Sequence, residues 1–270
     1  MSYGQAVVLG LVQGLTEFLP VSSSGHLVLV PRVFGWPDQG LAVDAALHLG
    51  TLAALLAYFR VELLGLLAGT VSRRVGAIVL AATVPAGLAA LLFGRYLESA
   101  VRWPMLIAFT TAFWAIVMLV ADRRAPPAAR DSGAAGEPAP DDPLERVNWR
   151  QGMLVGLAQT LALIPGTSRS GITITTALFA GLDRATAARY AFLLGIPITA
   201  AAGLKKALDL ALGGLPDGEA GPLAAALLVS FLSGWFAVWF LVNYLKRRSL
   251  TPFVVYRLAL AALIVALWYR

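Results

Sequence analysis

The sequence predicts an all-α integral membrane protein made of two inverted-topology repeats. Of the 270 residues, 59% are hydrophobic and 13% are charged, and the mean hydropathy is +0.76, whereas soluble domains carry about 25% charged residues. Apolar runs of spanning length recur along the chain. In addition, a motif over residues 10–25 returns over residues 156–171. The composition predicts a membrane protein, and the apolar runs and the repeated motif predict helices arranged in two related halves.

The first copy of the motif places polar chemistry in an apolar N-terminal region. Gln13 and Glu17 are four residues apart, so they share one face of a helix. Pro20 ends or kinks that helix. The segment 22–25 then forms a turn whose backbone N–H groups can bind an anion.

The second copy has the same length but different functional groups. Five positions are identical in the two copies: Gly10, Leu11, Gln13, Leu15 and Gly25 match Gly156, Leu157, Gln159, Leu161 and Gly171. Leu163 stands where the first copy has Glu17, and Arg169 lies among hydroxyl side chains. The first copy therefore supplies an acid and a histidine, and the second supplies a guanidinium.

The first repeat is predicted over residues 1–121. Its segments 5–19 and 27–36 are too short to cross a hydrocarbon core of about 30 Å, which needs about 20 apolar residues. They are predicted to form a re-entrant pair, which is tolerated only where protein or a water-filled cavity covers the backbone. Three spans are predicted after them, at 41–59, 75–94 and 104–121.

The second repeat, 151–270, follows the same order. Short segments are predicted at 152–165 and 172–182, and spans at 187–204, 222–245 and 253–269. The total is six transmembrane and four short helices. Residues 122–150 are rich in Pro, Ala, Arg and Asp without periodicity and predict a linker.

Each repeat makes three crossings, an odd number, so the second enters the membrane from the opposite side. Repeats of this kind place their site near the midplane, where broken helices meet. Eleven Lys and Arg residues fall on the face holding 60–74, 122–150 and 246–252, against six on the other. The positive-inside rule then puts the linker in the cytoplasm and both termini outside.

Glu17 and Arg169 are the leading candidate site residues. A charged side chain at the centre of a membrane helix costs at least about 2.5–3.5 kcal/mol, so structure alone rarely justifies one. Glu17 could surface at a helix end and Arg169 could snorkel. A site is favoured because Gln13 shares the face of Glu17, and because hydroxyls surround a guanidinium that can bind phosphate in bidentate fashion.

His26 and the serines beside it admit two interpretations. The hydroxyls of Ser22, Ser23 and Ser24 could cap a helix, or one could act as a nucleophile if His26 lies within hydrogen-bond reach. His26 is a plausible acid or base in this setting. Asp44 and His48, one turn apart, either support the site or serve structure, and Arg257 is expected to pair or to snorkel.

Other classes of function lack support in the sequence. No cysteine is present, which removes disulfides, thiolate chemistry and Cys-based zinc sites, and no metalloprotease, P-loop or serine-hydrolase motif occurs. The net charge of +6 is explained by loop arginines that face anionic lipid, and it does not indicate binding to nucleic acid. Gln13 and Glu17 offer oxygen ligands for a divalent cation, Mg²⁺ or Ca²⁺.

Together the two motifs resemble those of the undecaprenyl-diphosphate phosphatase family, the bacitracin-resistance membrane phosphatases. The family's first pattern is Glu or Gln, three residues, Glu, then Phe-Leu-Pro-Val-Ser-Ser-x-Gly-His; residues 13 and 17–26 match it. Its second pattern, Pro-Gly-x-Ser-Arg-Ser-Gly, is matched by residues 165–171. The first position here is Gln13 rather than Glu, which the pattern allows.

The resemblance implies a site that releases phosphate from a polyprenyl diphosphate with a divalent cation in a bacterial plasma membrane, and that opens to the outer face. Glu17, with Gln13 as a neutral ligand, would hold the cation; Arg169 with Ser168 and Ser170 would clamp the diphosphate. Either Ser23 or a water activated by His26 would attack. The remaining residues expected to contact substrate are Ser22, Ser24, Gly166 and Thr167.

A transporter of a lipid carrier is the competing interpretation, because inverted repeats with broken helices are also a transporter plan. The asymmetry of the two motif copies favours catalysis. Candidate partners are the polyprenyl diphosphate, membrane lipids and a second copy of the chain in a homodimer.

Overall fold

The computed structural model describes residues 1–37, 40–69, 72–100, 103–127, 142–213 and 218–268. Within these ranges the chain forms eleven α-helices and no strand, which confirms the all-α prediction. The helices are α1 Tyr3–Phe18, α2 Ser23–Phe34, α3 Gly40–Tyr58, α4 Arg60–Ala68, α5 Arg73–Ala100, α6 Pro104–Arg124, α7 Trp149–Gln159, α8 Arg169–Phe179, α9 Arg184–Gly213, α10 Ala220–Leu245 and α11 Thr251–Trp268.

Five of the described helices, α5, α6, α9, α10 and α11, are long and apolar enough to cross a membrane. A sixth crossing exists if α3 and α4, which are bent by 64° at their junction, count as one span. Large apolar side chains such as Leu67 and Leu91 are fully accessible on the surface, as expected where lipid replaces water. The protein is therefore a multi-pass membrane protein. The short helix α4 was not predicted.

The predicted short helices are present near the expected positions. Helices α1 and α2 have 16 and 12 residues, and α7 and α8 have 11 each. All four are too short to cross a hydrocarbon core, which needs about 20 residues. α1 ends at Phe18, two residues before Pro20, as the proline requires. A 3₁₀ turn, Thr160–Leu163, continues α7 towards Pro165.

The two halves pack across one another. α1 lies against α10 and α7 against α5, while α3 contacts α9 and α6 contacts α11. Gly10 faces the carbonyl of Ala226 and Gly156 faces that of Ala82, each too closely to admit a Cβ. The glycines shared by the two motif copies thus allow α1 and α7 to approach their neighbours.

The predicted linker, 122–150, is ordered structure at both ends. Asp122 lies in α6 and binds Arg184 at 2.6 Å. Pro143–Arg146 form a 3₁₀ turn in which Leu144 is fully buried. A short buried turn of this kind has no periodicity that the sequence could reveal. Residues 128–141 of the predicted linker lie outside the described part of the chain.

Charged groups predicted on one face do meet at one end of the molecule. Arg189 binds Glu62 at 2.6 Å, and Arg74 donates to the carbonyl of Glu145 at 2.5 Å. At the opposite end the N-terminal amine binds Glu219 at 2.7 Å. Glu62, Arg74, the start of α9 and the described ends of the predicted linker therefore share a face.

Candidate active site

The two motif copies meet at Glu17. Its carboxylate Oε1 accepts a hydrogen bond from Nη2 of Arg169 at 2.9 Å. Its Oε2 accepts from Oγ of Ser23 at 2.8 Å and from Nε2 of Gln13 at 3.2 Å. Both carboxylate oxygens thus have hydrogen-bond partners, and two residues 152 positions apart in the sequence, one from each motif copy, are in contact.

Arg169 is the first residue of α8, and Ser23 is the first residue of α2. The N-termini of two helices therefore converge on Glu17, and such termini favour negative charge. The other guanidinium nitrogen of Arg169, Nη1, donates to the carbonyl of Gly195 at 2.9 Å and to Oγ1 of Thr199 at 2.6 Å. Both of these partners are on α9, and neither was identified from the sequence.

The serines around the two helix starts are linked in pairs. Oγ of Ser22 lies 3.2 Å from Oγ of Ser24, and Oγ of Ser168 lies 3.3 Å from Oγ of Ser170. The N–H of Gly166 donates to Oγ of Ser24 at 3.4 Å, which joins one turn to the other. The predicted hydroxyl groups are therefore brought together.

Gly166 and Thr167 form the floor of the second turn. Gly166 has a φ of 83°, which only glycine adopts without strain, and a Cβ there would overlap Thr110. The hydroxyl of Thr167 is fully buried and has no hydrogen-bond partner among the described residues. Gly166 and Thr167, both predicted to bind substrate, are therefore buried in the protein.

His26 is next to the site but is not hydrogen-bonded to Ser23. Its Nδ1 lies 2.8 Å from the carbonyl of Ser22, which can only accept, so Nδ1 carries a proton. Its Nε2 lies 2.6 Å from the hydroxyl of Tyr256, whose ring is parallel to the imidazole within 7°. In this arrangement Ser23 has Glu17, and not His26, as its proton acceptor.

Arg257 is fully buried, so it does not snorkel. Its donors reach backbone carbonyls at 3.0–3.4 Å. The acceptors are Pro20, Thr111, Gly166 and Thr167. Arg257 therefore joins the turn of the first motif to the turn of the second.

The side-chain oxygen of Gln13 is one possible ligand for a divalent cation beside Glu17. The side chain of Gln13 is fully buried, and Oε1 has no hydrogen-bond partner in the described structure, beside the carboxylate of Glu17. Oxygen donors suit Mg²⁺ and Ca²⁺. Among the described residues no group of three His, Cys, Asp or Glu side chains could hold a metal by itself. The residues therefore fit a cation that draws further ligands from a bound phosphate.

Asp44 and His48 lie on α3 beside the site. Nδ1 of His48 is 2.8 Å from the carbonyl of Asp44, and the imidazole is close enough to interact electrostatically with Glu17 and Lys206. Nζ of Lys206 lies 3.5 Å from Oδ2 of Asp44. Asp44 and His48 therefore lie near the site, but none of the hydrogen bonds described joins them to Arg169 or Ser23.

The sequence contained one usable signal for the residues that were missed. Tyr256 and Arg257 are adjacent polar residues inside the apolar run of α11, and such residues tend to face protein. For Thr199 there was none, because a single threonine in an apolar helix usually bonds its own backbone.

The fold and the site define a class: a multi-pass membrane protein with a partly buried carboxylate–guanidinium pair, ringed by hydroxyls, at the meeting point of two related motifs. The family model described as bacitracin resistance protein BacA matches residues 6–263. The chain belongs to this family.

Curated relatives cover almost the whole chain. An undecaprenyl-diphosphatase of Hahella chejuensis is 42% identical over 97% of each chain. One of Geobacter sulfurreducens is 43% identical over 98% of each chain. An undecaprenyl-diphosphatase 2 of Stutzerimonas stutzeri is 42% identical over 98% of this chain and 97% of its own.

Proposed function

We propose that this chain is a membrane phosphatase that hydrolyses undecaprenyl diphosphate to the monophosphate and inorganic phosphate, and so recycles the lipid carrier of the bacterial cell wall. The observation that carries this proposal is that Glu17 binds both Ser23 and Arg169. A nucleophile, a proton acceptor and an anion-binding group are thereby placed within one hydrogen-bond network. The names of the relatives agree with this activity.

The diphosphate binds where α2 and α8 begin. Arg169 faces it with a guanidinium that matches two phosphate oxygens, and the hydroxyls of Ser24 and Ser168 donate to the others. These donors are held in place before substrate arrives, which is how an enzyme stabilises charge that develops in a transition state. The hydroxyl of Ser170 donates to the carbonyl of Leu19 at 3.2 Å and would have to turn from it to bind phosphate. The prenyl tail extends into lipid between the helices.

Ser23 attacks the terminal phosphorus. A bond forms between its Oγ and phosphorus, the bond from phosphorus to the bridging oxygen breaks, and the prenyl monophosphate leaves. The hydroxyl proton passes to Oε2 of Glu17, 2.8 Å away. Glu17 hands this proton to the leaving prenyl monophosphate and is a carboxylate again. Water then attacks the phosphorus of the phosphoserine and gives its proton to Glu17. The bond from phosphorus to Oγ breaks, Glu17 returns the proton to Oγ of Ser23, and inorganic phosphate is released.

A divalent cation, Mg²⁺ or Ca²⁺, neutralises charge on the diphosphate when it is bound. Oε1 of Gln13 and the carboxylate of Glu17 are the groups that would hold it. Glu17 has both oxygens occupied by donors in this structure, so Arg169 must release Oε1 before a cation can use that oxygen.

The chain lies in the bacterial plasma membrane as two inverted repeats, 1–121 and 151–270. The exchanged packing of α1 on α10 and α7 on α5, and the equivalent positions of Ser22 and Ser168 before α2 and α8, support a two-fold relation between them. The end with Glu62 and Asp122 faces the cytoplasm, both termini face outwards, and the site opens to the outer face.

Orientation is tested by labelling, since the chain has no cysteine. Pro37→Cys and Arg124→Cys introduce single thiols at exposed positions near opposite ends of the molecule. A membrane-impermeant maleimide added to intact spheroplasts is expected to label Pro37→Cys alone. Labelling of Arg124→Cys alone would reverse the orientation.

Phosphate release tests the function. Purified protein in detergent is given undecaprenyl or farnesyl diphosphate with Mg²⁺, with Ca²⁺ or with EDTA, as wild type, Glu17→Ala and Arg169→Ala. Release that needs the cation and is lost in both variants is expected. Glu62→Ala and Arg189→Ala, which break an ion pair far from the site, serve as matched controls and should retain activity.

Folded wild-type protein that releases no phosphate with any cation would overturn this function. The transporter would then be tested in proteoliposomes, where movement of the lipid carrier between leaflets without phosphate release is its signature.

A further inference from the structure

The two terminal nitrogens of Arg169 have different kinds of partner. Nη2 binds Glu17, a side chain that the proposed reaction needs as a proton acceptor. Nη1 binds the carbonyl of Gly195 and the hydroxyl of Thr199, neither of which takes part in that reaction. One nitrogen is thus held by the catalytic carboxylate and the other by the scaffold of α9.

Thr199 is preset as an acceptor. Its hydroxyl donates to the carbonyl of Gly195 at 2.7 Å, so only its lone pairs are available to Nη1 of Arg169, 2.6 Å away. The side chain is 5% exposed, and the guanidinium lies so close to Gly195 that a Cβ there would overlap it. The acceptors at 195 and 199, one helical turn apart, fix the position of Nη1.

We propose that Thr199 is a positioning residue for the diphosphate site. It anchors Nη1, so that Nη2 can pass from Oε1 of Glu17 to a phosphoryl oxygen while the guanidinium stays in place. The exchange leaves Oε1 free for a cation and keeps Oε2 on Ser23. This inference rests on the proposed function and assigns the residue that holds its anion-binding group.

The kinetic test compares wild type, Thr199→Val and Thr199→Ser in steady-state phosphate release from farnesyl diphosphate. Valine keeps the shape but removes the acceptor, and is expected to lower kcat/KM by about 10- to 100-fold, since hydrogen bonds to charged groups have that worth. KM should rise as well, because a loosened Arg169 binds the ground state less well. Serine restores both constants.

Thr51→Val is the matched control. Thr51 is a fully buried threonine whose hydroxyl bonds only to carbonyls of its own helix, so its change should leave KM unaltered. A purely structural loss at Thr199 would reduce the amount of active enzyme, and therefore apparent kcat, with KM unchanged. That result, or a serine variant as impaired as the valine variant, would overturn the proposal.

A second readout needs no turnover. Inorganic pyrophosphate should raise the temperature of unfolding of wild type, followed by tryptophan fluorescence, because a ligand that binds only the folded state stabilises it; Thr199→Val should gain much less. If wild type is stabilised selectively in this way but releases no phosphate, the anchor stands and the phosphatase fails. Equal stabilisation of both proteins, with normal turnover by wild type, would overturn the anchor alone.

Discussion

The first and second motif turns have the same backbone design and different chemistry. Each contains a serine with a left-handed φ, 74° at Ser22 and 70° at Ser168, immediately before a short helix. The residue that follows contacts Glu17 in both cases, as a hydroxyl at Ser23 and as a guanidinium at Arg169. One backbone pattern therefore delivers a nucleophile from one side and an anion-binding group from the other.

The difference lies in the helices that precede the turns. Gln13 and Glu17 on α1 have Gln159 and Leu163 as counterparts. Gln159 is buried, and both atoms of its amide lack a hydrogen-bond partner within the described residues. Leu163 cannot bind Arg169 as Glu17 does, so the carboxylate partner of the second turn comes from the first copy. One acid, Glu17, is thus in contact with both turns.

Replacing that acid should have the largest effect. Glu17→Leu gives the first copy the side chain of the second, and is expected to lower kcat by at least about 10³-fold, within the 10²–10⁴-fold that a general base contributes. It also leaves the partly buried Arg169 without its carboxylate partner, so the temperature of unfolding should fall. Phosphate release and thermal unfolding are measured together, with Glu17→Gln as the variant of similar shape.

The reverse change, Leu163→Glu, places a carboxylate in the second copy. No gain in release is expected, because Arg169 remains bound to Glu17. A second active site in this variant would contradict the idea that the copies share one acid.

Next in size is the loss of the first turn's nucleophile. Ser23→Ala should lower kcat by about 10²–10³-fold, since proton transfer from the hydroxyl to Glu17 is lost. Ser24→Ala, one residue away, removes a hydroxyl that does not contact Glu17 and should cost far less. Equal effects of the two changes on phosphate release would favour attack by water and leave Ser23 as a positioning group.

A smaller effect on kcat is expected from a change at the hydrogen bond of His26, a residue that has Ile172 as its counterpart in the second copy. Tyr256→Phe keeps the stacked ring and removes the hydroxyl 2.6 Å from Nε2. The loss of about one hydrogen bond predicts a fall in kcat of about tenfold. Nitrogen NMR of labelled histidine should show a change at Nε2 of His26. Tyr244→Phe, in the aromatic cluster around Phe240, is the control and should change neither.

The smallest effect concerns the strained serines themselves. Ser22 makes no side-chain cap, whereas Ser168 accepts from the N–H of Gly171 at 3.2 Å. Glycine relieves a left-handed φ in both, but Ser168→Gly also loses a side-chain cap, which costs only a few tenths of a kcal/mol when the replacement is glycine. Its free energy of unfolding should therefore fall below that of Ser22→Gly by that amount. Equal values in denaturant titrations would show that the two turns are energetically alike.

Local signals predicted the parts of the fold and site that depend on neighbours in sequence. Proline at 20 and 165 marked the ends of the short helices, and a spacing of four put Gln13 and Glu17 on one face. The matching of the two motifs predicted that Glu17 and Arg169 meet. These inferences needed only helix geometry and the repeat.

Contacts between distant helices were not predictable in this way. Tyr256 meets His26 across 230 residues, and Thr199 meets Arg169 from another helix; neither has a spacing that a helical period could reveal. The break between α3 and α4 was missed because the apolar run continues past it. Buried residues near the ends of the predicted linker were missed because a single apolar side chain has no pattern.

The buried guanidinium of Arg257 has a consequence for motion. It holds the carbonyl of Pro20 from the first half and those of Gly166 and Thr167 from the second. In alternating access one half rocks against the other, and such a movement would have to break these hydrogen bonds. The buried charge of Arg257 would then be left without acceptors, which is costly. Transporters use a similar arrangement of helices, but here the hydrogen bonds of Arg257 oppose the movement that transport would need.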